Sequence, residues 1–118
     1  LVPPIDVSVD VRPGDFPNVV NLRSNGRVPV AIYGSAELSV GDIDASSLTI
    51  AGASVAVRRN GTLFASQEDV NRDGFPDLVV HVAIEDLEVS GDSTTALVLG
   101  LTNSGDAILG SDSILVVP

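Results

Sequence analysis

The sequence predicts an all-β fold, an antiparallel β-sandwich of about seven to nine strands that carries a metal-binding loop. Apolar and polar residues alternate with a period of two along much of the chain. Turn-forming dipeptides separate the alternating segments, and helical periodicity is nearly absent. Together these patterns indicate short strands joined by tight turns.

The opening strand is predicted from regular alternation. Aliphatic residues occupy the odd positions from Ile5 to Val11, and polar residues occupy the even positions from Asp6 to Arg12. One face of this strand should therefore be buried and the other solvated. Pro13-Gly14-Asp15 ends the strand.

The rest of the chain continues the pattern. Asn25-Gly26 predicts a tight turn before a strand over residues 27–33, and Asn60-Gly61 predicts a hairpin turn of the primed type. The one helical candidate is residues 40–48, where Asp44 or Ser46 could cap a turn. Further strands fit residues 47–51, 54–58, 63–67, 77–84, 94–102 and 113–117. Their spacing is typical of an Ig-like or related β-sandwich.

The length fits one domain. A chain of 118 residues can bury a core without disulfides, and this chain has no cysteine. Pro3-Pro4 is interpreted as the end of a linker, so residues 1–4 are predicted to be a linker remnant and residues 5–118 a single module. The start at Leu1 without Met predicts that the module belongs to a longer protein.

The charge excludes several classes of function. Sixteen acidic residues against six basic ones give a net charge of −10, which argues against nucleic acid or anionic membrane as a partner. All six basic residues are arginine, so lysine chemistry is excluded. No run of about 18 apolar residues occurs, which predicts no membrane insertion.

Residues 69–77 read D-x-N-x-D-G-x-x-D, a spacing that predicts binding of a hard cation, Ca²⁺. Calcium takes about six to eight oxygen ligands, which a tight loop supplies from alternate positions. Gly74 permits the sharp turn. The predicted ligands are the side chains of Asp69, Asn71, Asp73 and Asp77 and the main-chain carbonyl of Phe75. The alternative is an ordinary Asp- and Asn-rich turn, in which close carboxylates would repel one another.

The loop is not of the EF-hand type. Position 12 is Val80 where an EF-hand has a bidentate Glu, and Val80 lies in a run rich in β-branched residues. The loop is therefore predicted to lie between strands. Its pattern resembles the calcium loops of integrin-type propeller blades and, more distantly, those of dockerins and thrombospondin type 3 repeats.

A wider resemblance extends over nearly the whole chain. The segments D-V-R-P-G at 10–14, F-P-N at 16–18, V-P-V-A-I at 28–32 and D-S-I-L-V-V-P at 112–118, together with the 68–74 loop, carry it. They resemble a module of secreted and surface multidomain proteins of bacteria and archaea. The resemblance implies a non-catalytic β accessory domain, secreted or at the cell surface, whose partners are other domains of its parent protein.

No enzymatic constellation is found in the sequence. His81 is the only histidine, so a catalytic triad or a His-ligated zinc would need it. It shares a strand face with Val79 and Ala83, which favours a packed or surface residue. The acidic group at residues 85–88 is interpreted as a solvated face rather than as a glycosidase carboxylate pair.

The sequence therefore predicts a non-catalytic calcium-binding accessory module of an extracellular multidomain protein, in which Ca²⁺ stabilises the loop and the fold. Two alternatives stay open. A calcium-dependent carbohydrate-binding module of a secreted polysaccharide-degrading enzyme could use Phe75 beside an incompletely coordinated ion. A calcium-dependent adhesion or protein-interaction domain could pair with a cell-surface protein through an edge strand such as 113–117.

Overall fold

Strands dominate the structure, a computed structural model that describes residues 3–13 and 18–117. Two single-turn 3₁₀ segments, Val40–Asp42 and Ile84–Asp86, interrupt them. Within the described ranges no helix is long and apolar enough to cross a membrane. The strands are β1 Ile5–Asp6, β2 Val9–Val11, β3 Val19–Asn21, β4 Arg27–Ile32, β5 Ile43–Ile50, β6 Ala53–Ser54, β7 Ala65–Glu68, β8 Asp77–Ala83, β9 Thr95–Thr102, β10 Ala107–Ser113 and β11 Leu115–Val117.

The strands form two main sheets and a small ribbon. The larger sheet has the order β1-β10-β9-β5-β6, the second has the order β2-β4-β8-β7, and β11 pairs with β3 in the ribbon. All pairings are antiparallel except β1 with β10 and β11 with β3. The predicted all-β sandwich is confirmed. The described strands number eleven rather than seven to nine because several are pieces of only two or three residues.

The core lies between the two main sheets. In the β4–β8 pair the buried aliphatic residues face each other in register, as Val28↔Val82, Val30↔Val80 and Ile32↔Leu78. The larger sheet adds Leu48, Ile50, Val98 and Ile108, each about 1% exposed or less. Burying one such side chain is worth roughly 1.5–3 kcal/mol. This packing holds β4 and β8 firmly side by side.

The predicted opening strand is in fact two strands in different sheets. The chain leaves β1 at Val7, whose N–H donates to the Leu109 carbonyl at 2.9 Å, and then enters β2 beside β4. A Cβ on Gly110 would lie 2.7 Å from the Val7 carbonyl oxygen, so a glycine in β10 lets the crossing chain approach closely. The predicted Gly14-Asp15 part of the following turn lies outside the described residues.

The helical candidate at 40–48 is helical only at its start. Only Val40–Asp42 forms a 3₁₀ turn, and β5 begins at Ile43. Alternate burial of apolar side chains against β9 outweighs the weak local helix preference, since Leu48 and Ile50 are both buried. The Asp44 carboxylate accepts the Ser46 N–H at 3.1 Å within a β-bulge, instead of capping a helix.

Several strand boundaries also differ from the prediction. Strands β3 and β10 were not predicted, and the predicted strand at 54–58 is reduced to Ala53–Ser54 and an isolated bridge between Val57 and Leu63. The C-terminal strand is shorter than the predicted 113–117, because Ser113 belongs to β10. The sequence of β10 breaks its alternation with a glycine and polar residues, so periodicity alone does not reveal it.

The two Asn-Gly turns have different outcomes. The Arg58 N–H donates to the Thr62 carbonyl at 2.7 Å, which confirms a hairpin turn around Asn60-Gly61. Asn60 does not have positive φ, and both primed turn types require positive φ at their first central residue, so the predicted primed geometry is wrong. Near Asn25-Gly26 the turn closes earlier, where the Ser24 N–H donates to the Asn21 carbonyl.

Candidate metal centre

Three carboxylates converge where the 69–77 loop enters β8. Asp69, Asp73 and Asp77 each offer one oxygen, and these oxygens lie within 4.8 Å of one another. Two oxygens bound to the same Ca²⁺ at about 2.3–2.6 Å are at most about 5 Å apart. The spacing therefore allows one ion to contact all three carboxylates.

Asp77 joins the cluster to the folded body. It is the first residue of β8 and is completely buried. Its Oδ1 accepts the Gly34 N–H at 2.9 Å and its Oδ2 accepts the Val70 N–H at 2.9 Å. A buried carboxylate is costly unless it is hydrogen-bonded, and these two main-chain donors offset that cost. Each oxygen keeps a second lone pair that a cation can use.

Gly34 is the site residue that sequence reasoning missed. A Cβ at this position would collide with the main-chain carbonyl oxygen of Pro76, the residue before Asp77. Glycine therefore allows the chain leaving β4 to come close enough to donate to the Asp77 carboxylate. The two residues are 43 positions apart, so no local motif links them. The only available signal is a glycine just after a strand.

The exposed part of the loop folds around its own carboxylates. Asp69 accepts the Asp73 N–H at 3.2 Å and the Gly74 N–H at 3.0 Å, and Asp73 accepts the Phe75 N–H at 3.0 Å. Gly74 has φ +89°, in the left-handed region that favours glycine. Arg72 also has positive φ, at 58°. The backbone is thus wound so that Asp69 and Asp73 point toward Asp77.

The other two predicted ligands lie in the same loop. Asn71 and Phe75 are both exposed, and the Phe75 side chain is 41% exposed. Of the predicted ligands, the structure brings together the carboxylates of Asp69, Asp73 and Asp77. The roles of the Asn71 side chain and the Phe75 carbonyl as ligands stay predictions.

The electrostatics of the cluster favour a cation. Water screens the charges of the exposed Asp69 and Asp73, but the buried Asp77 is screened much less. Three carboxylates at this separation repel one another, and the attraction of each to a bound divalent ion would outweigh that repulsion. All three offer oxygen atoms, the donors preferred by hard cations.

His81 lies elsewhere, in a different environment. It is half-buried in β8, with its ring centroid 4.2 Å from that of Phe64. Burial lowers its pKa, and the positive charges of Arg27 and Arg58 lower it further, against an opposing effect of Glu68. The acidic residues Glu85 and Asp86 are exposed in the second 3₁₀ segment.

Comparisons of the chain with protein-family models, with curated proteins and with solved structures find no match. The resemblances of the loop and of the wider module therefore stay predictions. On its geometry alone, the molecule is a β-rich domain with a cluster of three aspartates that could hold a metal ion.

Proposed function

We propose that this chain is a non-catalytic calcium-binding accessory module of an extracellular multidomain protein, in which the ion ties the 69–77 loop to the sandwich. One observation carries the proposal. Two loop carboxylates, of Asp69 and Asp73, converge on the buried carboxylate of Asp77, which is itself hydrogen-bonded to the main chain on both sides.

Calcium is the ion that best suits this donor set. The cluster consists of carboxylates, the chain has no cysteine, and its single histidine is not part of the cluster. Mg²⁺ requires near-ideal octahedral geometry at about 2.0–2.1 Å and keeps several waters, whereas Ca²⁺ accepts flexible oxygen ligands. Extracellular calcium can load even sites with dissociation constants of about 10⁻⁴–10⁻³ M.

The ion would act by neutralising the cluster and bridging two parts of the chain. Because an unfolded chain does not hold the three carboxylates together, binding favours the folded state. At a calcium concentration of about 100 times the dissociation constant, the gain in unfolding free energy is about 2.7 kcal/mol. The expected role is therefore stability and loop order.

A thermal melt in calcium and in EDTA tests the proposal. We expect calcium to raise the midpoint by roughly 10 °C near saturation, from the gain above and the usual entropy of unfolding. The Asp73→Ala variant should lose this increase. Asp92→Ala, which removes an exposed carboxylate that is not part of the cluster, should keep it. Equal melting midpoints in calcium and in EDTA would contradict the proposal and indicate that the loop is an ordinary turn.

A second candidate function is a protein-interaction or adhesion domain. The observation that favours it is the outer face of β9, where Leu97, Leu99 and Leu101 are 46%, 45% and 44% exposed. The strand lies in the middle of the five-stranded sheet. Exposed apolar residues that are contiguous, rather than scattered, commonly mark an interaction surface.

The carbohydrate-binding alternative has less support. Phe75, at 41%, is the most exposed of the described aromatic residues. The Tyr33 hydroxyl donates to Asp10 at 3.0 Å, and guanidinium groups lie against the Phe64 ring. A sugar platform would therefore depend on Phe75 alone. A polysaccharide pull-down with and without calcium distinguishes this alternative from a structural role.

A further inference from the structure

A group of positive and aromatic side chains lies at one end of the four-stranded sheet, on its outer face. The guanidinium carbons of Arg27 and Arg58 lie 4.7 Å and 5.0 Å from the centroid of the Phe64 ring. The His81 ring contacts the same phenyl ring at 4.2 Å, tilted by 46°. We refer to these four residues as the arginine cluster.

The backbone places His81 on the sheet face that is turned away from the core. In β8 the neighbours Val80 and Val82 are completely buried, so His81 between them faces outward. The main-chain N–H of His81 donates to the main-chain carbonyl of Phe64 at 3.0 Å. This hydrogen bond places the two residues, and so their rings, next to each other. Arg27 is the exposed first residue of β4, which pairs with β8.

The two arginines differ in how they are held. The Arg58 guanidinium donates to the Leu63 carbonyl at 2.7 Å and to the Ala65 carbonyl at 3.3 Å, so it is fixed in place. Arg27 donates no hydrogen bond to a described residue and lies against the ring with its guanidinium donors available. Stacking on an aromatic ring leaves the in-plane N–H groups of a guanidinium free for another partner.

The cluster carries two positive charges on a strongly acidic chain. The net charge is −10, yet no ion pair joins either guanidinium to a described carboxylate. The lowered pKa of His81 fits this local field, because both arginines contribute to it after burial and Glu68 is the acid that opposes them. An anion bound at the available Arg27 donors would also be attracted by the second positive charge of Arg58, since both guanidinium carbons lie within 5.0 Å of the same ring centroid.

We propose that the arginine cluster binds a small oxyanion, the sulfate, phosphate or carboxylate group of a ligand. Arg27 supplies a planar fork that matches two oxygens, Arg58 supplies a second fixed charge, and His81 supplies a ring donor. Both guanidinium groups contact the phenyl ring of Phe64. None of its residues belongs to the carboxylate cluster, so the two sites share no group.

Imidazole NMR of the single histidine tests the proposal in the calcium-loaded protein. Sodium sulfate and sodium acetate are titrated separately, each against sodium chloride at the same ionic strength. We expect a saturable shift of the His81 signals and a rise in the His81 pKa with at least one oxyanion, because a bound negative charge favours the protonated ring. A lower midpoint for sulfate would indicate a preference for a tetrahedral oxyanion group, and a lower midpoint for acetate a preference for a planar carboxylate.

Variants make the test specific. Arg27→Gln should raise the titration midpoint about tenfold or more, since it removes a charged donor pair. Arg27→Lys, which keeps the charge but loses the fork, should also weaken binding and guards against misfolding of the first variant. Arg23→Gln, an exposed arginine outside the cluster, should bind as the unmodified chain does. Shifts that sodium chloride reproduces, or an Arg27→Gln midpoint equal to that of the unmodified chain, would overturn the proposal.

Discussion

At the scale of residues, the geometry of the candidate site depends on Asp77. A fully buried carboxylate with two main-chain donors is held in one orientation, while the two loop carboxylates remain exposed to solvent. A rigid ligand combined with adaptable ones suits an ion that tolerates varied geometry. The spacing of the three aspartates could be read from the sequence, because all of them lie in one short segment.

The role of Gly34 could not be read from the sequence, and it leads to a prediction. Gly34→Ala should destabilise the fold by about 1–3 kcal/mol, because the added methyl group must displace the Pro76 carbonyl. It should also weaken calcium binding, since the Gly34 N–H bond to Asp77 would be disturbed. Urea unfolding in calcium and in EDTA measures both effects.

Gly91→Ala is the matched control for this substitution. A Cβ at Gly91 meets no atom within 4 Å, so the stability of this variant should match that of the parent within about 0.5 kcal/mol. A Gly34→Ala variant as stable as Gly91→Ala, with unchanged calcium response, would contradict the close approach seen in the structure.

At the scale of elements, β9 is unusual because both of its faces are apolar. Val98 is completely buried on the inner side, whereas three leucines project outward. In the neighbouring strand β10, Leu109 lies opposite Leu99. In β1, the next strand, Asp6 lies opposite Leu109. Apolar residues on both faces are more typical of a strand packed on two sides than of a solvated one.

The second candidate function predicts calcium-dependent association through this face. Sedimentation velocity over a range of protein concentrations should show self-association in calcium, which Leu99→Thr weakens. The substitution should cost little stability, because threonine keeps the β propensity and Leu99 is already 45% exposed. Val57→Thr, at an exposed position outside the β9 strand, should leave association unchanged. A monomer under all conditions would remove self-adhesion from consideration.

The elements that the sequence predicts well are those with dense aliphatic runs. Residues 27–33 and 77–84 were predicted close to β4 and β8, because their aliphatic residues alternate or run continuously. The parallel pairing of β1 with β10 was not predictable, since the partners lie at opposite ends of the chain. The helical candidate at 40–48 becomes a strand from Ile43 because burial of Leu48 and Ile50 overrides local preference.

At the scale of the molecule, we expect charge repulsion to be a main influence on stability. Without calcium, the net charge of −10 and the carboxylate cluster both act against the compact state. We therefore expect the melting midpoint in EDTA to rise between about 0.01 M and about 1 M sodium chloride, as the Debye length falls from about 30 Å to about 3 Å. The increase caused by calcium should shrink over the same range.

Choline chloride is the control for this salt prediction. It screens charge as sodium chloride does, but its bulky cation cannot enter a carboxylate site, so equal effects of the two salts would assign the rise to screening. A midpoint in EDTA that stays constant or falls with salt would contradict a dominant role of charge repulsion.

The hydrogen bond from Gly34 to Asp77 has a consequence for the order of events during folding. Asp69 and Asp73 can approach each other in a chain that is still unfolded, but Asp77 takes its final orientation only when β4 lies beside β8. An ion that requires all three carboxylates would therefore bind after the two strands have met. Such a site stabilises a fold that has already formed, and it does not nucleate folding.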